Sequence, residues 1–255
     1  MSKLAAAVAV ATALLSGTAI AQPAKPTIVL VHGAFADSSS WNGVITHLQK
    51  DGYKTVAVAN PLRSVTNDAR TVSDVVASIE GPVVLVGHSY GGQVITNAAR
   101  GHDNVRSLVY VAAFAPDTGE AAAELAGKFP GGTLGDALAA PVKLTEGGVD
   151  LYIEQAKFHD QFAHDVPAEA TVLMAAGQRP ITETALTEKS GEPAWKSLPS
   201  YFVYGSGDKN IPAEALGFMA ERAGSRRTVV VEDASHVVMV SHPQVVADLI
   251  DEAAK

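Results

Sequence analysis

The chain has 255 residues, a net charge of −8 and no cysteine, and is 47% hydrophobic and 18% charged. That length buries an ample core in one α/β domain without metal or disulfide staples, and the missing cysteine excludes thiol catalysis and zinc-thiolate sites. Lysines and arginines scattered singly over an acidic chain argue against a nucleic-acid partner and against a polybasic membrane patch.

Residues 1–21 come first and stand apart. Lys3 gives a short positive start, an apolar Ala-rich run follows to Ile20, and Ala19-Ile20-Ala21 precedes Gln22 in the small-x-small form of a secretory cleavage site. The expectation is a removed signal peptide, a mature domain over 22–255 in the periplasm or secreted, and no stable membrane anchoring once the leader is gone. Beyond it, short β-branched or apolar runs at 27–31, 55–58, 83–86, 107–112, 201–204 and 228–231 predict six strands buried on both faces of a parallel sheet. Helical spacing falls between them, first at Trp41, Val44, Ile45 and Leu48, then at Val72, Val75, Val76 and Ile79. A last helix follows the start signal Ser241-His242-Pro243. Alternating strands and helices predict a doubly wound, mostly parallel six-stranded α/β sheet. The stretch at about 118–197 breaks the rhythm. It has no convincing buried strand, carries helical patterns around 121–126 and 151–164, and is expected to be a small inserted cap.

Within this frame, Val83 to Val86 run straight into Gly87-His88-Ser89-Tyr90-Gly91-Gly92. A serine on a tight strand-to-helix turn projects its hydroxyl clear of the sheet, but the positions two before and two after are crowded by strand and helix. Gly87 and Gly91 meet that demand. The helix begun there also favours a developing negative charge at its N-terminus.

Serine at its ordinary pKa is a poor nucleophile, so it needs a base, and the base needs an orienting carboxylate. In chain order these should follow the serine, on loops leaving later strands. The strand at 201–204 leads to Asp208, just before a Pro-started helix, and the strand at 228–231 leads to His236. Asp117, after the fourth strand, is the competing carboxylate. Asp233 reads as a turn residue, His242 as a helix cap, and His88 as pointing away from the nucleophile. An acyl-transfer site also needs two donors for the oxyanion. The backbone N–H of Tyr90 supplies one, and that of Ala34, in the loop His32-Gly33-Ala34 after the first strand, the other. His32 is expected to hold that loop.

Together, Leu30-Val31-His32-Gly33-Ala34, Gly87-His88-Ser89-Tyr90-Gly91-Gly92, Val111 to Asp117, Asp208 and Ser235-His236 resemble the α/β-hydrolase superfamily over nearly the whole mature chain. Within it, the chain most resembles small bacterial hydrolases related to the plant methyl esterases and hydroxynitrile lyases. The resemblance implies a six-stranded core, a compact cap, no metal or organic cofactor, Ser89 as nucleophile, His236 as base and acid, Asp208 as orienter, and Ala34 and Tyr90 as oxyanion donors. The resembling lyases carry threonine after the loop histidine and lysine after the catalytic histidine. This chain has Gly33 and Val237, which favours an esterase. A perhydrolase would use the same triad.

The expected activity is therefore hydrolysis of a small-molecule ester or lactone, against a rival reading in which the same fold binds a small ligand without turnover. Phe35, Phe114, Phe158, Phe162 and Trp195, with Tyr90, are candidates to line the pocket. His159-Asp160 and His164-Asp165 invite a metal reading, but histidines five apart on a helix do not share a face. Gly205-Ser206-Gly207 has Asn210 where a dinucleotide fingerprint needs its third glycine.

Overall fold

A computed structural model describes residues 25–255, so the expected leader at 1–21 lies outside the described residues. The six runs form one parallel sheet: β1 (Thr27–Val31), β2 (Lys54–Val58), β3 (Val83–His88), β4 (Val105–Val111), β8 (Ser200–Gly205) and β9 (Arg227–Val231), in the spatial order β2-β1-β3-β4-β8-β9. β1 and β3 are buried at every position, as a central parallel strand covered on both faces must be. The two edge strands differ from the expectation. Val56 of β2 and Val230 of β9 are 36% and 51% exposed, because an edge position leaves part of each strand in solvent.

Helices pack on the sheet in pairs. α1 (Asn42–Lys50) lies on α11 (Pro243–Ala253), and α2 (Val65–Ala77) lies on α3 (Tyr90–Ala98). Trp41, Val44 and Leu48 bury the inner side of the first pair, and Val72 and Val76 that of the second, as their spacing predicts. α9 (Ala213–Arg222) starts after Pro212 and α10 (Val238–Ser241) follows the last strand.

The chain runs from β1 outward to β2, then crosses to β3 on the other side of β1. Connections leaving β1 and β3 therefore diverge, and a crevice opens between them at the carboxyl ends of the strands. Ser89 stands at that crevice.

Between β4 and β8 lie the helices α4 (Ala122–Ala126), α5 (Leu134–Ala137), α6 (Gln155–Phe162), α7 (Ala168–Gly177) and α8 (Glu183–Thr187). Three short strands accompany them: β5 (Val142–Lys143), β6 (Val149–Leu151) and β7 (Ile181–Thr182). The helical patterns around 121–126 and 151–164 correspond to α4 and α6. The strands form a separate antiparallel sheet, and β7, buried at both positions, corrects the expectation of no convincing buried strand here. Runs of two or three residues carry no period to read. Polar contacts tie this segment down: Arg63 pairs with Asp150 at 2.6 Å, and the Glu188 carboxylate accepts the Val65 and Thr66 N–H groups at the start of α2.

Candidate active site

β3 ends at His88 and α3 begins at Tyr90, leaving a single residue to make the turn. Ser89 makes it with φ +54° and ψ −125°, a left-handed strained conformation for a side chain with a Cβ. A Cβ on Gly87 would come within 2.5 Å of the Gly91 carbonyl, and one on Gly91 within 2.5 Å of the Val31 carbonyl. Both glycines are thus required by close backbone approach, the reason their spacing is informative.

From the end of β9, His236 reaches across to Asp208 beyond β8. Its Nδ1–H donates to Asp208 Oδ2 at 2.7 Å, with both side chains buried. The other carboxylate oxygen accepts the backbone N–H groups of Asn210 and Ile211 at 2.8 and 3.0 Å. With Nδ1 holding the proton, His236 Nε2 keeps its lone pair free to accept one. Among the described residues no hydrogen bond joins Ser89 Oγ to His236 Nε2, and such bonds are commonly loose before substrate arrives. Asp117 lies elsewhere. Its carboxylate bonds Lys196 Nζ at 2.6 Å, and that cation holds it below the usual carboxylate range.

His88 turns toward the histidine loop. Its Nε2–H donates to the His236 carbonyl at 3.1 Å and its ring centre lies 4.8 Å from that of His236. Burial, and next the neighbouring His236, hold His88 well below the usual imidazole range, so it is neutral here. Phe162 packs on His236 from another direction, with ring centres 5.2 Å apart.

The backbone N–H groups of Ala34 and Tyr90 are without an acceptor among the described residues' hydrogen bonds. Both flank Ser89. Gly33 lies so close that a Cβ there would be 2.6 Å from Ser89 Cβ. The loop is fixed from below: His32 Nδ1–H donates to the Gly33 carbonyl at 2.9 Å, and its Nε2 accepts the Asn60 N–H at 3.1 Å. Burial pushes the His32 imidazole down to about 4, so it stays neutral and can accept that bond. The Tyr90 side chain descends beside α2, where its hydroxyl donates to buried Asp68 at 2.9 Å. Burial pushes the Asp68 carboxyl up, opposed by N–H bonds from Arg63. Sequence reasoning missed Asp68, because a carboxylate in the first turn of a helix ordinarily reads as a dipole partner facing solvent.

A cavity of about 360 Å³ opens over Ser89. Phe35 and Phe114 line it, as expected, together with Tyr90. Three expected lining residues do not. Phe158 and Phe162 are wholly buried and pack on each other with rings tilted by 49°, and Trp195 donates its indole N–H to the Pro116 carbonyl beside Arg222. Their bulk is used for packing. The opposite wall comes instead from Ala122, Ala123 and Ala126 of α4, with Leu134, Leu138, Leu186 and Ile211. Only the spacing of the three alanines on one short helix could have pointed to them.

Three further histidines bond protein groups away from Ser89. His159 Nε2 bonds the Val166 carbonyl, and His164 Nε2 bonds the carbonyl of Asp233, itself a turn residue with φ +53°. His242 makes no side-chain cap to α11, contrary to expectation, because its Nδ1 is turned to Ser241 Oγ at 2.9 Å.

Comparison with known proteins adds three observations. Residues 28–249 match the model of the alpha/beta hydrolase family. An alpha-hydroxynitrile lyase of Arabidopsis thaliana is 26% identical, covering 90% of this chain and 97% of its own, and methylesterase 2 of the same plant is 25% identical, covering 88% and 94%. The crystal structure of polyneuridine aldehyde esterase superposes with a TM-score of 0.77 at 22% identity, covering 90% of this chain and all of that one.

Proposed function

The chain belongs to the alpha/beta hydrolase family, and from that premise we propose that it is a serine hydrolase cleaving small carboxylic esters or lactones through an acyl-enzyme. One observation carries this reading: a buried 2.7 Å bond orients His236 through Asp208, while Ser89 is presented on a strained elbow at the floor of an apolar cavity.

Chemistry follows from that arrangement. Ser89 Oγ attacks the ester carbonyl as His236 Nε2 takes its proton, and the imidazolium so formed is stabilised by Asp208. Negative charge on the carbonyl oxygen meets the N–H groups of Ala34 and Tyr90. As the intermediate collapses, the carbon–oxygen bond to the alcohol breaks and His236 returns the proton to the leaving oxygen. Water then repeats the sequence on the acyl-serine, giving the acid and free Ser89.

Relatives of the chain include a lyase as well as esterases, and two positions favour the esterase. Glycine at 33 is demanded by the 2.6 Å approach to Ser89, where the resembling lyases carry threonine. Position 237 is a wholly buried valine, which offers no cation to a departing cyanide. The test is hydrolysis of p-nitrophenyl esters from acetate to octanoate near neutral pH, with Ser89→Ala alongside. Turnover lost in Ser89→Ala supports the reading. A folded protein inactive on every ester and lactone would point instead to ligand binding without turnover. Export rests on the leader-like sequence alone, and N-terminal sequencing of secreted protein should begin at Gln22.

A further inference from the structure

Two cavities meet at one side chain. On one side of Phe35 lies the cavity of about 360 Å³ that contains Ser89. On the other lies a second, of about 310 Å³, walled by Leu173 and Met174 of α7, Gly43 of α1 and Val240 of α10, with Asp37, Ser39 and Gln178 adding polar groups. Phe35 is the one residue shared by the two linings and is only 3% exposed, which places it between them.

Phe35 is held in place. Its backbone sits at φ +60° and its N–H donates to the Arg179 carbonyl at 2.9 Å, just beyond α7. Its ring meets Phe162 edge to face, with centres 6.2 Å apart, and Phe162 is wholly buried. A ring so anchored cannot swing aside without breaking that packing. The catalytic side of the wall is apolar and carries no charged side chain, and its volume is near the lower end of the roughly 300–1,000 Å³ of ligand pockets.

We propose that Phe35 sets the upper size of the ester group held against Ser89. The preferred substrates are then neutral esters with a compact apolar group, and the second cavity is an extension that Phe35 closes. The proposal rests on the serine-hydrolase reading and deepens it.

Removing the ring should join the two spaces. The measurement is kcat/KM for p-nitrophenyl butyrate, octanoate and dodecanoate with the wild type, Phe35→Ala, Phe35→Leu and the double variant Phe35→Ala with Leu173→Trp. Expressed as the ratio of dodecanoate to butyrate, the result is insensitive to any general loss from loosening the neighbouring Ala34 N–H. The ratio is expected to rise by about tenfold or more in Phe35→Ala, since several methylenes gain a wall to pack on. It should rise less in Phe35→Leu, and fall back in the double variant, where the indole added by Leu173→Trp fills the second cavity. A ratio unchanged in a Phe35→Ala enzyme that still hydrolyses butyrate would overturn the proposal. If Phe35→Ala does not fold, an unchanged ratio in Phe35→Leu would do the same. Failure of the wild type on every ester would defeat the hydrolase reading and this proposal with it, an outcome separable from an unchanged ratio.

Discussion

At the strand ends, Ser89, Asp208 and His236 are 7%, 6% and 1% exposed, and neighbouring backbone leaves no room for a Cβ at Gly33, Gly87 or Gly91. Across the cavity, the wall contributed by the segment between β4 and β8 consists, beyond Phe114, of alanines, glycines and leucines on short helices and the turns beside them. The first region is over-determined by sterics and hydrogen bonds, so its residues can hardly vary without loss of the site. The second is constrained only to be apolar and small, so substitutions there change what fits while leaving the chemistry alone. On the proposed function, the reacting groups sit where variation is least tolerated, and the space offered to substrate is shaped both by the tolerant wall and by Phe35 in the loop after β1.

The largest difference between the regions should appear at the carboxylates. Asp208→Asn is expected to lower kcat by about 10⁴-fold, because the amide would favour the wrong tautomer of His236. Asp117→Asn, which removes only a partly exposed pair with Lys196, should change it by no more than about fivefold. Steady-state kinetics on one ester decide this, and similar losses in both variants would erase the distinction.

Acid should weaken the strand-end region. Folded His32 takes its proton only near pH 4, whereas the unfolded chain takes it near 6.5. The unfolded state therefore binds more protons between those values. Stability is full above pH 6.5 and falls as pH drops toward 4, by about 3 kcal/mol from this group alone. His88, also depressed by burial, acts in the same direction. Urea midpoints measured from pH 7 to 4 should fall more steeply for the wild type than for His32→Gln. Parallel curves would remove His32 from the account.

On the opposite wall, Ala126→Phe should narrow the cavity. The octanoate-to-acetate ratio of kcat/KM is expected to drop about tenfold, with acetate hydrolysis nearly retained. Smallest of all is Val172→Ser on α7, where a side chain 66% exposed should alter stability by no more than about 0.5 kcal/mol in urea unfolding.

How much of this was legible in the sequence divides along the same line. The elbow could be read because a strand running into Gly-x-Ser-x-Gly admits few other structures, and Asp208 and His236 could be placed because each follows a β-branched run. The cavity wall could not, since alanine and glycine are silent about which surface they face. Aromatic residues misled for the converse reason. Phe158 and Phe162, four apart on α6, have the spacing of a buried face, and burial rather than substrate explains them. The edge strands β2 and β9 resemble central strands in composition, and only pairing reveals which edge is open. The Tyr90–Asp68 bond joins residues 22 apart on two helices, a contact that no local pattern encodes.

The central claim, that Ser89 is a nucleophile activated by His236 and Asp208, is tested most directly by treating the folded protein with a fluorophosphonate and measuring its intact mass, followed by peptide mapping. The account predicts one adduct per chain, carried by Ser89 and lost in Ser89→Ala. A folded protein that takes up no label, or takes it up on another residue, would contradict it.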